Sequence, residues 1–417
     1  MLSIAVVGGG AAGFFSAIAI QQALPDAQVV ILERAPKVLA KVKVSGGGRC
    51  NLTNSFALVG DLSKVYPRGH RLMKRLFRVF DHQAVYDWFE QQGVALVTQD
   101  DQCVFPRVQD SEAVIGCLTR LARQSGVVVR TRCGVAQIER GETGHWRLAL
   151  STGAVETYDR VVVTTGGAPH AEGHDWLQVL GHRLETPCPS LFTFQINDKA
   201  LTALSGIVVD PVQTALAGTK MRAEGPLLIT HWGMSGPAIL KLSSLGARHL
   251  FDHQYQARLL VAWAGEVSVE DVQAELFAIA GGSPKKQLGN VRPFGLQQRL
   301  WNYLLEKAGL SSDRLWGELG KKGINRLVNL LTADEYAIAG KGAFKEEFVT
   351  CGGVSLDSVS AKNLESKTCP GLFFAGEVLD IDAITGGFNL QAAWTTAYVA
   401  ARGVVESVAR EAVSIDE

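Results

Sequence analysis

Two glycine-rich segments near the start of the chain have residue types that could hold a large anionic ligand. The first, VVGGGAAG, occupies residues 6–13, and the second, KVKVSGGGRCNLTN, occupies residues 41–54. Glycine loses more conformational freedom on folding than any other residue, so an ordered glycine loop needs a compensating use. Either the second segment is a flexible linker, or the two loops converge on one ligand.

The first segment carries the pattern G-x-G-x-x-G at Gly8, Gly10 and Gly13. Between a strand and a helix, the first glycine permits a tight turn, the second lets the backbone approach a pyrophosphate, and the third lets the helix pack closely on the sheet. Residues 2–7 predict a buried strand and residues 11–23 a helix. The N-terminus of that helix would offer unpaired N–H groups to phosphates.

A carboxylate completes this dinucleotide-binding fingerprint. Residues 28–33 predict a second strand, and Glu33 at its end lies twenty residues beyond Gly13. A carboxylate at this position can accept hydrogen bonds from ribose hydroxyls. The alternative is a glycine turn that packs a helix on a sheet without a ligand, and the acid at this distance disfavours it.

The fingerprint alone does not distinguish NAD from FAD, but two later segments do. VVVTTGG at 161–167 and GLFFAGE at 371–377 each predict a strand that ends in a glycine turn. A Gly-Gly loop and a helix, predicted over 391–405, follow the second of these. Such a set suits FAD, which is longer and held more permanently than NAD. The chain has one G-x-G-x-x-G, so we expect any NAD(P)H donor to visit the flavin only transiently.

These segments resemble the bacterial flavoproteins grouped as BaiN-like, or aminoacetone-oxidase-family, NAD(P)/FAD-dependent oxidoreductases. The resemblance rests on the fingerprint, the second glycine segment, THWGMSGPAIL at 230–240, and TCGGVSL…GLFFAGEVLDIDAITGGFNLQAAW at 350–394. It implies an α/β fold: a Rossmann-like FAD-binding domain built from both chain ends, with an inserted β-barrel-like subdomain and a small helical subdomain. The predicted boundaries are 1–187 and 351–417 for the FAD-binding domain, 188–265 and 337–350 for the β-rich insert, and 266–336 for the helical subdomain.

The resemblance also implies which residues contact FAD. Ser45 to Asn51 would wrap the middle of the cofactor, with Arg49 either neutralising phosphate or contacting the flavin. Glu377 would accept from ribityl hydroxyls, and the positive end of the last helix would face the flavin and raise its reduction potential. The predicted cofactor-binding residues are Gly8, Gly10, Ala11, Ala12, Gly13, Glu33, Arg34, Lys41, Ser45, Gly46, Gly47, Gly48, Arg49, Cys50, Asn51, Val135, Thr165, Gly166, Gly167, Gly376, Glu377, Gly386, Gly387, Phe388, Asn389 and Leu390.

Several of these residues have a second interpretation. Cys50 is either redox-active or a small packed residue, and the absence of a nearby cysteine in sequence favours packing. His231 is either a proton donor or a structural residue, and the turn chemistry of Gly236-Pro237 favours the structural role. Asn389 and Gln391 would cap the last helix whether or not they contact the flavin. The family usually has Thr-Gly-Ser-x-Gly-Asp-Gly after its TGGA strand, where this chain has the shorter TGGAPHAEGHDW, which leaves a shared substrate in doubt.

The predicted function is FAD-dependent oxidation or reduction, with hydride passing through flavin N5 to or from a small organic substrate with an activated C=C or an amine or imine group. The alternative is a flavoprotein that binds or modifies RNA. Residues 281–330 hold nine Lys and Arg against three acids, with Trp301, Tyr303 and Trp316 among them, and KVYPRGHRLMKRLFR at 64–78 is also basic. A solvated helix surface explains the first set better, because its charges are spread over three predicted helices, and we interpret residues 64–78 in the same way.

Composition narrows the choice further. Lys plus Arg equals Asp plus Glu, 41 against 41, so the whole protein has no net field for nucleic acid or an anionic membrane. An odd count of seven cysteines without a CxxC predicts a reduced cytoplasmic protein without a zinc site. His170 and His174 are four residues apart, but Gly173 weakens a helix there, so we predict no metal. No apolar run reaches about 18 residues, which predicts no membrane span; the oligomeric state is not predicted.

Overall fold

The computed structural model describes residues 1–141, 144–167, 175–342 and 349–415. The chain divides into two compact units. Unit 1 comprises 1–188 and 349–417, and unit 2 comprises 189–348. Both chain ends therefore belong to unit 1, and unit 2 is inserted between them in sequence.

Among the described residues, unit 1 contains most of the strands and seven of the thirteen α-helices. Its strands are β1 (Ser3–Val7), β2 (Gln28–Leu32), β3 (Thr53–Asn54), β4 (Leu96–Thr98), β5 (Cys103–Pro106), β6 (Val128–Arg130), β7 (Val135–Arg140), β8 (Trp146–Leu150), β9 (Val155–Tyr158), β10 (Arg160–Val163), β11 (Leu184–Ser190), β19 (Val349–Val354) and β20 (Leu372–Phe374). Its helices are α1 (Ala11–Ala23), α2 (Ala40–Val44), α3 (His70–Leu76), α4 (His82–Gln91), α5 (Glu112–Ser125), α6 (Asp175–Val179) and α13 (Phe388–Ile415).

The centre of unit 1 is a five-stranded parallel sheet with the order β20-β10-β1-β2-β6. Val6 of β1 lies beside Ile31 of β2 and Val162 of β10. These strands are almost wholly apolar because parallel sheets are covered on both faces. Since β20 pairs with β10, the sheet joins the two chain ends. The carboxyl ends of β1, β10 and β20 lie at one edge, where open α/β sheets bind their ligands.

The sheet is flanked by α1, which packs against α13 and α5. Phe15 of α1 lies 5.6 Å from Trp394 of α13 and 4.6 Å from Trp88 of α4, measured between ring centroids. The helix α13 is longer than the predicted 391–405. None of the described helices, α13 included, has the length and apolar composition needed to span a bilayer.

Smaller sheets surround this centre: β3-β5-β4, β7-β8-β9, and a pair formed by β11 and β19. The chain enters and leaves unit 2 through this last pair, because β11 precedes the insert and β19 follows it.

Unit 2 combines an antiparallel sheet with helices. Its strands are β12 (Phe194–Gln195), β13 (Val208–Leu216), β14 (Arg222–Thr230), β15 (Gly233–Ser235), β16 (Ala257–Ala262), β17 (Asp334–Ile338) and β18 (Gly340–Lys341). Its helices are α7 (Lys199–Thr202), α8 (Pro237–Leu245), α9 (Ala247–Asp252), α10 (Val269–Gly282), α11 (Gln298–Lys307) and α12 (Gly320–Ala333).

The sheet of unit 2 has the order β17-β16-β13-β14-β15-β12-β18. Its first and last strands are separated in sequence only by Ala339, so the sheet curves round until its ends meet, as in a barrel. Strand and helix side chains share one apolar core, which includes Leu259 of β16 and Leu327 of α12. The predicted division into a β-rich insert and a separate helical subdomain stays a prediction.

Three local predictions are wrong. The apolar spacing over 70–92 predicts one helix, but the chain forms α3 and α4, because the Asp81 side chain accepts a hydrogen bond from the Ala84 N–H and starts a new helix. The alternation of Val42 and Val44 suggests a strand, but both lie in α2, with Val42 buried and Val44 exposed. The sequence predicts little helix over 187–265, where α8 and α9 form.

The close fit of α1 against β1 yields a stability prediction. A Cβ on Gly13 would come within 1.9 Å of the Gly8 carbonyl oxygen, so we expect Gly13→Ala to destabilise unit 1 by about 1–3 kcal/mol, the usual cost of overpacking. Gly116 lies on the exposed face of α5, where a Cβ would meet no atom within 4 Å. Gly116→Ala should therefore stabilise by about 0.5–1 kcal/mol. Urea unfolding of both variants tests this contrast, and equal effects would contradict it.

Candidate functional site

The N-terminus of α1 is open toward solvent. Gly10 precedes the helix and no side chain caps it. A Cβ on Gly10 would meet no atom of the described residues within 4 Å, so there is open space beside the residue that precedes the first turn. Unpaired N–H groups at the positive end of a helix bind phosphate. This opening therefore fits the pyrophosphate of a dinucleotide.

Glu33 is fixed beside this opening by its own backbone neighbours. One carboxylate oxygen accepts from the Gly9 N–H at 2.6 Å and the other from the Ala35 N–H at 2.7 Å. A carboxylate has about four lone-pair positions, so acceptor capacity remains for ribose hydroxyls. The segment before β7 pairs with the same stretch, since the Cys133 N–H donates to the Glu33 carbonyl at 2.8 Å. Val135 follows two residues later, and its predicted contact with the cofactor stays a prediction.

The second glycine segment forms a defined turn, so it is not a flexible linker. Ser45–Gly48 forms a 3-10 turn after α2, with Gly46, Gly47 and Gly48 all at positive φ. The Ser111 N–H donates to the Gly48 carbonyl at 2.9 Å and its hydroxyl donates to the Lys43 carbonyl at 3.0 Å. Gly47 has open space where a side chain would lie, so the backbone of this turn is accessible to a ligand.

Arg49 has a defined orientation within this segment. Its Nε donates to the Gly46 carbonyl at 3.1 Å and its Nη1 to the Gln109 side chain at 3.3 Å. The guanidinium carbon lies 4.3 Å from the centroid of the Phe105 ring. These contacts hold the planar group and leave other N–H donors available. Both predicted roles, phosphate contact and flavin contact, stay predictions.

Glu377 joins three predicted segments. Lys41 Nζ lies 2.6 Å from one oxygen of its carboxylate, and the Thr350 N–H donates to the other at 2.8 Å. A Cβ on Gly167 would come within 3.1 Å of that second oxygen. The carboxylate therefore brings together the start of the second glycine segment, the turn after β10 and the 3-10 turn after β20. Its predicted contact with ribityl hydroxyls stays a prediction.

The Gly386-Gly387 loop lies directly against the second glycine segment. A Cβ on Gly387 would come within 2.2 Å of the Thr53 carbonyl oxygen, so only glycine fits. Asn54 Nδ2 donates to the Gly386 carbonyl at 3.0 Å. With the Asn51 amide oriented by its neighbours, its oxygen accepts from the Gly387 N–H at 3.2 Å. Thr53 and Asn54 end the second glycine segment, but the residue spacing of that segment does not indicate that they contact Gly386 and Gly387.

The predicted capping by Asn389 and Gln391 is wrong. The Asn389 amide exchanges two hydrogen bonds with the backbone of Ala383, at 2.9 and 3.0 Å. The buried Gln391 accepts from the Thr53 hydroxyl at 2.5 Å and donates to the Thr395 hydroxyl at 2.9 Å. These side chains hold the loop that precedes α13 and leave the N–H groups of its first turn to other partners.

The remaining candidates have simpler surroundings. Cys50 is fully buried, and burial raises the pKa of its thiol to about 12, which supports packing. His231 is exposed at the turn between β14 and β15 in unit 2, with its ring edge-to-face against Trp232 at 4.3 Å; its role stays a prediction. Gly236 has a φ of 91° and Pro237 begins α8, in agreement with the predicted turn. His170 and His174, with most of the TGGAPHAEGHDW departure, lie outside the described residues.

These glycine turns, the acid after β2 and the strand from the far end of the chain occur together in one family. A family model described as the HI0933-like protein Rossmann domain matches residues 2–403. The chain belongs to this family. The predicted family resemblance, the Rossmann-like FAD-binding fold and the predicted enzyme class, an FAD-dependent oxidoreductase, are confirmed.

Two relatives are similar in sequence to this chain over nearly its whole length. A 3-dehydro-bile acid delta(4,6)-reductase of Clostridium scindens is 26% identical over 414 residues, which cover 97% of this chain and 100% of the relative. A ribosomal RNA dihydrouridine synthase of Haemophilus influenzae is 28% identical over 416 residues, with 96% and 97% covered. Among solved structures, a 3-ketosteroid delta1-dehydrogenase of Sterolibacterium denitrificans aligns with a TM-score of 0.50 and 12% identity over 98% of this chain and 100% of that chain, which shows a shared fold.

The surroundings of Glu33 predict its effect on cofactor retention. Glu33→Ala removes the acceptor for two backbone N–H groups and for the ribose, so we expect FAD to bind more weakly by about 1–3 kcal/mol, the cost of losing hydrogen bonds to a charged group. Asp26, at the other end of β2, is exposed and without a side-chain bond among the described residues, and Asp26→Ala serves as the matched control. Fluorescence titration of FAD into both apoproteins measures the difference. Equal affinities would exclude Glu33 from the ribose site.

The burial of Cys50 predicts its reactivity. Because its thiol pKa lies near 12, the nucleophilic thiolate is scarce at neutral pH, and alkylation by iodoacetamide should leave Cys50 unmodified in the folded protein. Cys369 is half-exposed and should be labelled first. Peptide mass spectrometry after timed labelling reads out each site. Early labelling of Cys50, or its oxidation by dilute peroxide, would restore the redox interpretation.

Proposed function

We propose that this protein is an FAD-dependent reductase whose acceptor is a C=C bond conjugated to a carbonyl group. The convergence of four distant segments on Glu377 and Gly387 supports the proposal most directly. These residues build a frame with accessible backbone N–H groups, and no side chain of the described residues occupies the Cβ positions of Gly10 and Gly47. When bound, FAD supplies the hydride carrier, which the protein's own side chains lack.

The chain's residues bind and orient the cofactor in this proposal. The open N-terminus of α1 would hold the pyrophosphate of FAD, and Glu33 would hold the ribose. The ordered turn at Ser45–Gly48 would hold the middle of the cofactor. The helix α13 begins at Phe388, directly after the Gly386-Gly387 loop. Its positive end stabilises negative charge that develops close by on reduction. Since the chain has one dinucleotide fingerprint, we propose that NADH or NADPH binds transiently as the electron donor.

The chemistry shared by the relatives supports the acceptor class. The Clostridium relative is a delta(4,6)-reductase of 3-dehydro bile acids, in which the double bonds are conjugated to a ring ketone. Dihydrouridine, the product named for the Haemophilus relative, is uridine whose ring C=C, conjugated to a carbonyl, has been reduced. Both acceptors take hydride at the carbon remote from the carbonyl and a proton at the adjacent carbon. We extend this shared reaction to the present chain, ahead of the amine or imine chemistry.

The burial of its aromatic side chains argues against the alternative that residues 281–330 form an RNA-binding module. Trp301 and Trp316 are fully buried and stack on each other, with ring centroids 6.4 Å apart. Tyr303 is nearly buried, and its hydroxyl donates to Asp198 at 3.0 Å. Aromatic rings that bind single-stranded nucleic acid must offer a face to the bases. These three rings form core, and the cations around them belong to a solvated helical surface.

We also propose that the protein acts in a reducing compartment such as the cytoplasm. All seven cysteines lie among the described residues and form no disulfide there, and six of them are buried. Proteins with several unpaired thiols persist where glutathione and thioredoxin keep them reduced.

Anaerobic half-reactions test the proposed reaction. The purified protein should be yellow, and NADH or NADPH should bleach its flavin absorbance. Addition of a steroid 4-en-3-one, or of RNA rich in uridine, should then restore the oxidised spectrum, whereas the saturated steroid ketone should not. Reoxidation by an amine-derived imine but by neither conjugated acceptor would overturn the proposal in favour of amine chemistry. A colourless protein that FAD cannot reconstitute would overturn it altogether.

A further inference from the structure

One helix of unit 1 presents a continuous line of positive charge. Three cations on its outer face and a fourth in the turn that follows it have the spacing i, i+3, i+4 and i+7, which places them on one side of the segment. We name this face the α3 stripe, and it consists of Arg71, Lys74, Arg75 and Arg78. All four side chains are exposed, and none has an ion-pair or hydrogen-bond partner within the described part of the chain.

The opposite face of α3 fixes the direction of the stripe. Leu72, Met73 and Leu76 are buried in the core of unit 1. Because the apolar face packs against protein, the helix cannot insert that face into a lipid surface, as an amphipathic membrane helix must. The stripe therefore faces solvent in a fixed direction.

Nothing adjacent in sequence neutralises the stripe. Asp61, before α3, accepts from the backbone and hydroxyl of Ser63. Asp81, after it, caps α4. Within the stripe, Arg71 with Arg75 and Lys74 with Arg78 are like charges at i and i+4, which destabilise a helix. Such repulsion is relieved when an anionic partner binds.

The segment that leads into α3 is bound to the loop before α13. The Ile384 N–H donates to the Val65 carbonyl at 2.9 Å, and the Tyr66 hydroxyl donates to the Phe388 carbonyl at 2.9 Å. Arg68 pairs with the buried Asp382, with its Nε 2.5 Å from the carboxylate. Arg71, the first residue of the stripe, lies three residues after Arg68, and the Arg68 side chain binds the loop that leads to Gly386 and Gly387. The start of α3 therefore lies next to this loop.

We propose that the α3 stripe binds the phosphate backbone of RNA and presents one of its bases to the site framed by the glycine loops. Seven residues of helix span about 10 Å at 1.5 Å per residue, which matches about three nucleotides of one strand at 3.4 Å each. The inference rests on the proposed function for the chemistry at the base, since uracil is one of the two conjugated acceptors considered there. Phosphate binding by the stripe is a separate, measurable property.

The test compares two charge-matched variants of the FAD-loaded protein. The stripe variant combines Arg71→Gln, Lys74→Gln, Arg75→Gln and Arg78→Gln. The control combines Lys285→Gln, Lys286→Gln, Lys321→Gln and Lys322→Gln, all exposed in the other basic region. Fluorescence anisotropy of a labelled, uridine-containing RNA hairpin is measured between 50 and 200 mM salt. The flavin content and the unfolding midpoint of each variant confirm that it remains folded.

We expect the stripe variant to bind the hairpin about 10-fold or more weakly at low salt, with the slope of log affinity against log salt reduced by about 3, from roughly 0.7–0.9 for each lost phosphate contact. The control should bind like the unaltered protein. Equal binding by the stripe variant, or a loss confined to the control, would overturn the inference. So would binding to phosphatidylserine vesicles in preference to RNA. If the unaltered protein binds RNA through the stripe but reduces neither conjugated acceptor, the proposed function fails and the stripe stands.

Discussion

The carboxylate of Glu377 is the contact on which the candidate site depends. Its partners, Lys41 and the backbone of Thr350, come from opposite ends of the chain, and Lys41 lies 336 residues away in sequence. The site therefore depends on the C-terminal segment, which β20 joins to the N-terminal sheet by pairing with β10. Contacts between such distant segments form late in folding, because the entropy of closing a long loop opposes them until other contacts offset it. The frame is therefore a product of the tertiary fold, and its separate loops would not hold their geometry alone.

A second long-range contact couples this frame to the surface. Asp382 is almost fully buried and pairs with Arg68, which is largely buried. Removal of either partner would take away the opposite charge that this pair supplies to the other group in the interior, which is costly. The loop before α13 and the segment before α3 consequently keep a fixed relation to each other. Substitutions on the solvent side of α3 leave this pair intact, whereas substitutions at the pair disturb both segments at once. The charged residues on the surface of α3 can therefore be substituted without moving the loop that precedes α13.

The sequence predicts the parts of this structure that depend on local pattern. The strand–turn–helix at Gly8 to Gly13, the acid after β2 and the glycine turns after β10 and β20 all follow from composition and spacing, and the resemblance gathers them into one site. The hydrogen bonds of Thr53, Gln391 and Asn389 leave no such trace, because their partners lie far away or depend on a particular loop shape. The break between α3 and α4 does have a local signal, the cap at Asp81, but a continuous apolar spacing across 70–92 conceals it. The helix α2 replaces a suggested strand because five residues are too few for periodicity to decide.

The pairing of β11 with β19 has a consequence for how such proteins diverge. The chain leaves the flavin-binding unit at the end of one strand and returns at the start of its neighbour, so the two connections of the insert lie side by side. A segment attached in this way can be lengthened, shortened or replaced during evolution without altering the register of the central parallel sheet. Gene rearrangements that exchange the insert would leave the glycine turns and the central sheet of unit 1 in place, so a lineage can vary the insert without rebuilding its cofactor site.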